Sequence, residues 1–195
     1  MSGSVDHFSS NSLRRLIGSL NSIRFRDDIG EVEYFGQKVV MLRRDAFSLM
    51  RKELIRVSGH AANIILGIAG RRVGTEEGKA LLSKAKALGL KTPQSMPEFV
   101  RLAVEETNMG FGKIRVDELN LETGLAQVSI SNSFESEPPG SSLKPACVFT
   151  LSYLEGIFSQ LIERDVRGSE VDCRAKGDKL CRFVLSAGPV PKPGD

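Results

Sequence analysis

The sequence predicts an α+β fold in which an antiparallel sheet is packed by helices. Three observations carry that prediction. Apolar residues recur at spacings of three and four over several stretches, the mark of amphipathic helices. Val128 and Ile130 alternate with Ser129 and Ser131, as in a strand with one buried face. Two short runs flank Lys176-Gly177-Asp178-Lys179 near the end of the chain, which reads as a hairpin.

Taken in order, residues 1–30 are expected to be a polar tail followed by a short helix capped by Asn11, with Leu13, Leu16, Ile17 and Leu20 on one side. This segment is a candidate for dimerisation. Glu31–Tyr34 and Lys38–Leu42 flank Phe35-Gly36-Gln37 and predict a hairpin. A long helix follows, capped by Asp45, with Phe47, Met50, Leu54, Val57, Ala61, Ile64 and Ile68 in one stripe and a stop at Gly70. Thr75 caps a second helix ending near Gly89. Ser95 with Pro97 and Glu98 opens a third helix that stops at Gly110. Strands are expected at Phe111–Leu119 and Leu125–Asn132, and a loop at Ser133–Pro145. A helix over Ala146–Arg164 precedes the final hairpin, with arms at Ser169–Ala175 and Leu180–Ser186. Residues 31–187 thus read as the main domain. The Pro/Gly-rich 188–195 are expected to be disordered.

Composition narrows the function. The chain has 195 residues, 41% hydrophobic and 26% charged, with a net charge of +3. That balance is too small for a nucleic-acid surface. No apolar run approaches the ~20 residues of a membrane span, and the N-terminus lacks an apolar leader core. The three cysteines, an odd number within the last quarter, do not form a secreted disulfide framework. The expectation is a cytoplasmic protein. No HExxH, GxSxG, P-loop or GxGxxG pattern occurs, so no catalytic motif points to an enzyme.

Cys173 and Cys181 lie four residues either side of Gly177, and would face each other across the hairpin at about 4.5–5.5 Å between Cβ atoms. Cys147 at the head of the preceding helix is a third sulfur, and Glu170 offers a carboxylate. Spacing alone leaves three readings open: a metal site, three buried thiols, or a Cys173–Cys181 disulfide. Residues three apart on an ideal strand point to opposite faces, so Glu170 can join Cys173 only if the strand is bulged or begins late. Gly168 makes such irregularity plausible.

The stretch Cys147 to Val184, CVFTLSYLEGIFSQLIERDVRGSEVDCRAKGDKLCRFV, resembles the C-terminal signature of 4-vinyl-reductase domains. That signature has a helix with Leu-Glu-Gly, then Glu-Val-x-Cys, x-Ala-x-Gly-Asp and Cys-x-Phe. The family includes sensor domains of aromatic-responsive bacterial activators and single-domain archaeal proteins. The resemblance implies a zinc ion on Cys147, Glu170, Cys173 and Cys181, structural because all four positions are protein ligands. It also implies a fold related to subunits of the transport-particle (TRAPP) tether, and a homodimer. The aromatic sensors grip a phenol hydroxyl with a His and a Trp. This chain has no Trp, and its two His are His7 and His60.

The function expected is therefore a sensor domain that binds an apolar or hydrocarbon-like small molecule, with a possible protein partner. Candidate pocket residues are Phe47, Met50, Ile65, Phe99, Phe111, Phe149, Tyr153 and Phe158, with Tyr153 and His60 as polar handles. The alternatives are a non-catalytic scaffold like the tether subunits, and an accessory role in tetrapyrrole vinyl reduction, which the family name suggests.

Overall fold

The structure, a computed structural model, describes Leu13, Arg15 and residues 23–34, 36–90, 95–106 and 110–188. Its elements are β1 (Ile23–Arg26), β2 (Glu31–Tyr34), β3 (Gln37–Val39), α1 (Arg44–Ser58), α2 (Ala61–Ala87), α3 (Ser95–Glu106), β4 (Lys113–Asn120), β5 (Leu125–Ser131), α4 (Val148–Ile162), β6 (Arg167–Asp172) and β7 (Cys181–Ser186). Short 3-10 turns occupy Phe134–Ser136 and Arg174–Lys176. The antiparallel strands form a three-stranded sheet, β1-β2-β3, and a four-stranded sheet, β4-β5-β7-β6. The fold is the α+β class that the sequence predicts.

One apolar core joins the four-stranded sheet to α2, α3 and α4. Val128, Ile130, Phe183 and Leu185 of the sheet meet Phe99 and Val100 of α3, Leu81 of α2, and Leu154, Ile157 and Phe158 of α4, all buried. Phe99, Phe158 and Phe183 are each 0% exposed, so truncating any of them to Ala is expected to cost about 3–5 kcal/mol. The alternation at 128–131 resolves as a strand whose apolar positions face this core, but Ser129 on the other face is buried as well.

Helices α2 and α4 approach unusually closely, and glycine is the reason. A Cβ at Gly70 would lie 2.3 Å from the Phe149 carbonyl oxygen, one at Gly74 2.0 Å from that of Tyr153, and one at Gly156 2.4 Å from that of Arg71. Small residues at i, i+4 and i+8 on α2 therefore let two backbones touch, as at small-residue helix interfaces generally. This corrects the sequence reading at two points. Gly70 does not stop a helix and Thr75 does not cap one: α2 runs unbroken through both, and the Thr75 hydroxyl donates to the Arg71 carbonyl at 2.8 Å. The break falls instead at Gly59, with φ of +56°, which splits the expected long helix into α1 and α2. The apolar stripe across that break is not core, since Val57, Ile64 and Ile68 are 65–75% exposed.

Other differences are smaller. Strand β1 lies inside the segment expected to be tail and short helix, and pairs with β2 through Ile23–Tyr34 and Phe25–Val32. Asp45 does not cap α1, which has no side-chain cap; its carboxylate pairs with Arg43. Of the helix expected near 11–20, Leu13 and Arg15 are described and helical, and Leu13 is buried; the rest, with the side chain of Ser95, Phe35 of the first turn, His7 and residues 189–195, lies outside the described residues.

Candidate metal centre

The four candidate ligands come from three places on the fold. Cys147 is the residue before α4, Glu170 is in β6, Cys173 follows β6, and Cys181 opens β7. The hairpin keeps the register that centres it on Gly177: Asp172 pairs with Arg182, and Cys173 and Cys181 are the next step along. Gly177 turns the chain with φ of +105°, a conformation that glycine adopts without cost. Asp178 accepts from the Cys173 backbone N–H at 2.8 Å, which fixes the loop that presents the sulfur.

Between Glu170 and Asp172 the β6–β7 register shifts. This irregularity resolves the parity problem posed by Glu170 and Cys173, since the extra residue, Val171, brings both side chains to one side. It lies one residue past Glu170, not at Gly168. Glycine at 168 serves a different purpose, because a Cβ there would lie 2.6 Å from Leu185 Cδ2 and 2.9 Å from the Val184 carbonyl oxygen.

Together the ligand atoms of Cys147, Glu170, Cys173 and Cys181 lie within 4.8 Å of one another. The three cysteines are free thiols and buried, with Cys147 Sγ 3.6 Å from Cys181 Sγ. Backbone N–H groups surround the cluster: Ala146 donates to Cys173 Sγ at 3.4 Å and Arg174 to Cys181 Sγ at 3.5 Å. Glu170 Oε2 accepts from the Cys147 N–H at 3.0 Å, whereas Glu170 Oε1 is buried without a hydrogen-bond partner. An orphaned carboxylate oxygen beside three sulfurs fits a metal ion, because buried polar atoms are otherwise paired.

Electrostatics agree with that fit. Hydrogen bonding to Cys173 and Cys181, with burial, pushes the Cys147 thiol far above its ordinary range, while the bonds from Cys147 and Cys181 hold Cys173 well below it. Burial pushes the Glu170 carboxyl up to about 7. Without a cation, then, the cluster retains protons that a divalent ion would displace. Three sulfurs and one oxygen form a soft, tetrahedral-capable set that suits zinc.

Two groups that the sequence reading missed hold this centre in place. Glu135, 3% exposed, accepts from the N–H groups of Phe149 and Thr150 at 2.9 Å each and so caps α4 from a distant loop. Glu155 Oε1 accepts from the Gly168 N–H at 2.9 Å and Oε2 from Arg71 at 3.1 Å, and Arg71 also donates to the Val166 carbonyl at 3.2 Å. This network fastens the start of β6 to α2 and α4. The Leu-Glu-Gly of the signature is therefore a packing device: its Glu holds β6 and its Gly admits α2. The loop before α4 is likewise pinned, with Gly140 and Ser142 N–H groups donating to the Arg174 and Ala175 carbonyls.

Of the expected pocket residues, Phe47, Phe111, Phe149 and Tyr153 come together with Phe134. Ring centroids are 4.6 Å apart for Phe47–Phe134 and 4.9 Å for Phe111–Tyr153. Phe99 and Phe158 are instead in the solid core. Met50, His60 and Ile65 are exposed. Two of the clustered rings, Phe149 and Tyr153, sit on the first two turns of α4, immediately after Cys147.

Residues 126–187 match the model of the 4-vinyl-reductase domain family. No curated protein matches the sequence. Among solved structures, the fold is similar to the phenol-responsive sensory domain of the transcription activator PoxR, determined with phenol, at 18% identity and a TM-score of 0.74 over 92% of this chain and 90% of that one. It is similar to a trafficking protein particle complex subunit 3 from Naegleria fowleri covalently bound to palmitic acid, at 10% identity and a TM-score of 0.52 over 76% of this chain and 93% of that one. A vinyl-4-reductase family protein from Methanocaldococcus jannaschii matches at 14% identity and a TM-score of 0.44, over 95% of this chain and 98% of that one. Residues 126–187, which contain all four candidate ligands, are thus the part of the chain that is similar to the 4-vinyl-reductase domain, the family that the Cys147–Val184 signature resembles.

Proposed function

We propose that this chain is a small-molecule sensory module that binds an apolar ligand within residues 31–187 and holds one structural zinc on Cys147, Glu170, Cys173 and Cys181. The observation that supports it most is the shared fold, over 92% of the chain, with a phenol-responsive sensory domain. The ligand here is apolar rather than phenolic, because the chain has no Trp and His60 is exposed on the surface. The zinc ties the hairpin to the head of α4 and leaves no position for substrate water, so the metal is structural and not catalytic. Cys147 and the aromatic pair Phe149 and Tyr153 share the first turns of α4, so a change at the aromatic cluster reaches the metal centre through one rigid element.

The module acts as a homodimer in the cytoplasm, where its free thiols stay reduced. Among the described residues, every exposed large apolar side chain except Leu143 falls between Ile23 and Val73, and α1 has no buried residue at all. Exposed apolar side chains concentrated in this part of the chain suit an interface with a second copy. No helix among the described residues is long and apolar enough to cross a membrane.

Native mass spectrometry with metal analysis of the same sample tests the reading. A dimer with one zinc per chain and an organic mass that leaves on denaturation is the expected result. The same apolar face favours a second reading, a ligand-free scaffold like the tether subunits. That reading predicts zinc, no organic adduct, and a stable partner protein in pull-downs.

A further inference from the structure

We propose that helix α1 is a strap: it closes over the ring cluster at the head of α4, swings open about Gly59, and is held shut by the Phe47 ring and the guanidinium groups of Arg44 and Arg51. The strap stands on its own geometry. The molecule it admits, an apolar ring, rests on the sensory reading above.

Helix α1 is tethered loosely at both ends. Residues 40–43 before it are exposed and belong to no helix or strand, and Gly59 and His60 after it are exposed as well. Gly59 has φ of +56°, a conformation that favours glycine. A Cβ there would meet nothing within 4 Å. Gly59 thus differs from Gly70 and Gly74, which admit a neighbouring helix; it serves the bend alone, as hinge residues do. Between these joints, α1 has 15 residues and none of them is buried. Tertiary packing supplies most of a helix's stability, so α1 is anchored far more weakly than α2.

What does hold α1 lies on one side of it. Phe47, Arg51 and Leu54, spaced by four and three, are half-buried. The Phe47 ring stands edge-on to Phe134 at 4.6 Å and to Phe149 at 5.5 Å between centroids, a favourable arrangement for aromatic pairs. Arg44 donates to the Asn132 carbonyl and pairs with Glu137 at 2.7 Å. Arg51 donates to the Glu135 carbonyl at 3.4 Å. Residues 132–137 therefore receive the strap, and the same stretch caps α4 through the Glu135 carboxylate. Closure leaves one cost unmet: Arg51 Nε is buried without a partner, a state that buried donors ordinarily avoid and that opening to water relieves.

Opening lifts the Phe47 ring from its seat between Phe134 and Phe149. The vacated seat has aromatic walls and the size of one phenyl ring, so a neutral monocyclic aromatic molecule is the class it takes. The outward side of α1, with Leu49, Met50, Ile55 and Val57 exposed, belongs to the face assigned above to a second copy. A partner docked there moves with the strap and so reads its position.

The test is hydrogen–deuterium exchange, read by mass spectrometry on the full chain with and without toluene, a neutral ring of the size of the Phe47 side chain. In wild type the amides of α1 should exchange about tenfold or more faster than those of α2 and α4, through an opening that leaves the body folded. Phe47→Leu, and Arg44→Gln at an exposed site, should each speed α1 several-fold further and leave α2 and α4 unchanged. Toluene should speed α1 in a saturable way by holding the strap open. Exchange of α1 at the rate of α2, or equal acceleration of all three helices in both variants, would overturn the strap. Unchanged or slower exchange of α1 in toluene, with an organic adduct found by native mass spectrometry, would overturn its role as a gate and leave the sensory reading standing. The same result with no adduct would remove that reading as well.

Discussion

Single side chains decide whether the centre is a metal site. Glu170 has a carboxyl near 7 where 4.5 is ordinary, raised first by burial. A raised carboxyl favours the protonated native state, so its contribution to the stability of metal-free protein is full below about 4.5 and lost as pH rises through about 7. Chelator-treated protein should therefore show a falling urea midpoint from pH 5 to pH 8, and Glu170→Gln should flatten that slope. An unchanged slope in the variant would contradict the assignment. Zinc reverses the sign, because it requires the ionised carboxylate. Glu135→Ala should cost about 1–3 kcal/mol in urea unfolding, since it leaves the Phe149 and Thr150 N–H groups without their acceptors. The four ligands are legible in the sequence because three cysteines and a glutamate fall at the spacing of a signature. Glu135 is not, because its partners are fourteen and fifteen residues away, and no local pattern marks a cap that arrives from another loop.

The contact between α2 and α4 sets stability at the scale of elements. Gly74→Ala would place a methyl 2.0 Å from the Tyr153 carbonyl oxygen, and no side-chain rotation can relieve a backbone clash. The helices would have to separate, at a cost of about 1–3 kcal/mol or more. Gly67→Ala, by contrast, meets the Ser152 hydroxyl at 3.3 Å, a group that can rotate away, and it gains up to about 1 kcal/mol of helix propensity. Thermal melts of the two variants should move apart, with Gly74→Ala lower than wild type and Gly67→Ala close to it. Equal shifts would show that the glycines serve helix bending and not contact. The final hairpin and α4 are legible to within a few residues because periodicity and turn signals agree there. The middle of the chain is not, because a glycine that ends a helix and one that admits a neighbour look alike in sequence. Only the 70-74-78 spacing along α2, read against Gly156, distinguishes them.

For the whole molecule, the class of fold is legible but the weighting of its surface is not. The apolar stripe from Phe47 to Ile68 has the periodicity of a core face, yet most of it faces outward, because hydrophobic periodicity registers an interface with a partner or ligand as readily as an interior. That outward face and the zinc centre lie on elements joined by the close contact of α2 and α4. Chelation of the metal should accordingly lower the melting temperature of the entire domain in one cooperative step, and calorimetry with and without chelator reads this directly; a local change that leaves the main transition in place would contradict it. The central claim, a zinc ion held by three sulfurs and one carboxylate oxygen, is tested most directly by X-ray absorption at the zinc edge of the purified protein. The account predicts one zinc per chain in a four-coordinate shell with three sulfurs at ~2.3 Å and one oxygen at ~2.0–2.2 Å. Folded protein without zinc, or a shell with fewer than three sulfurs, would contradict it.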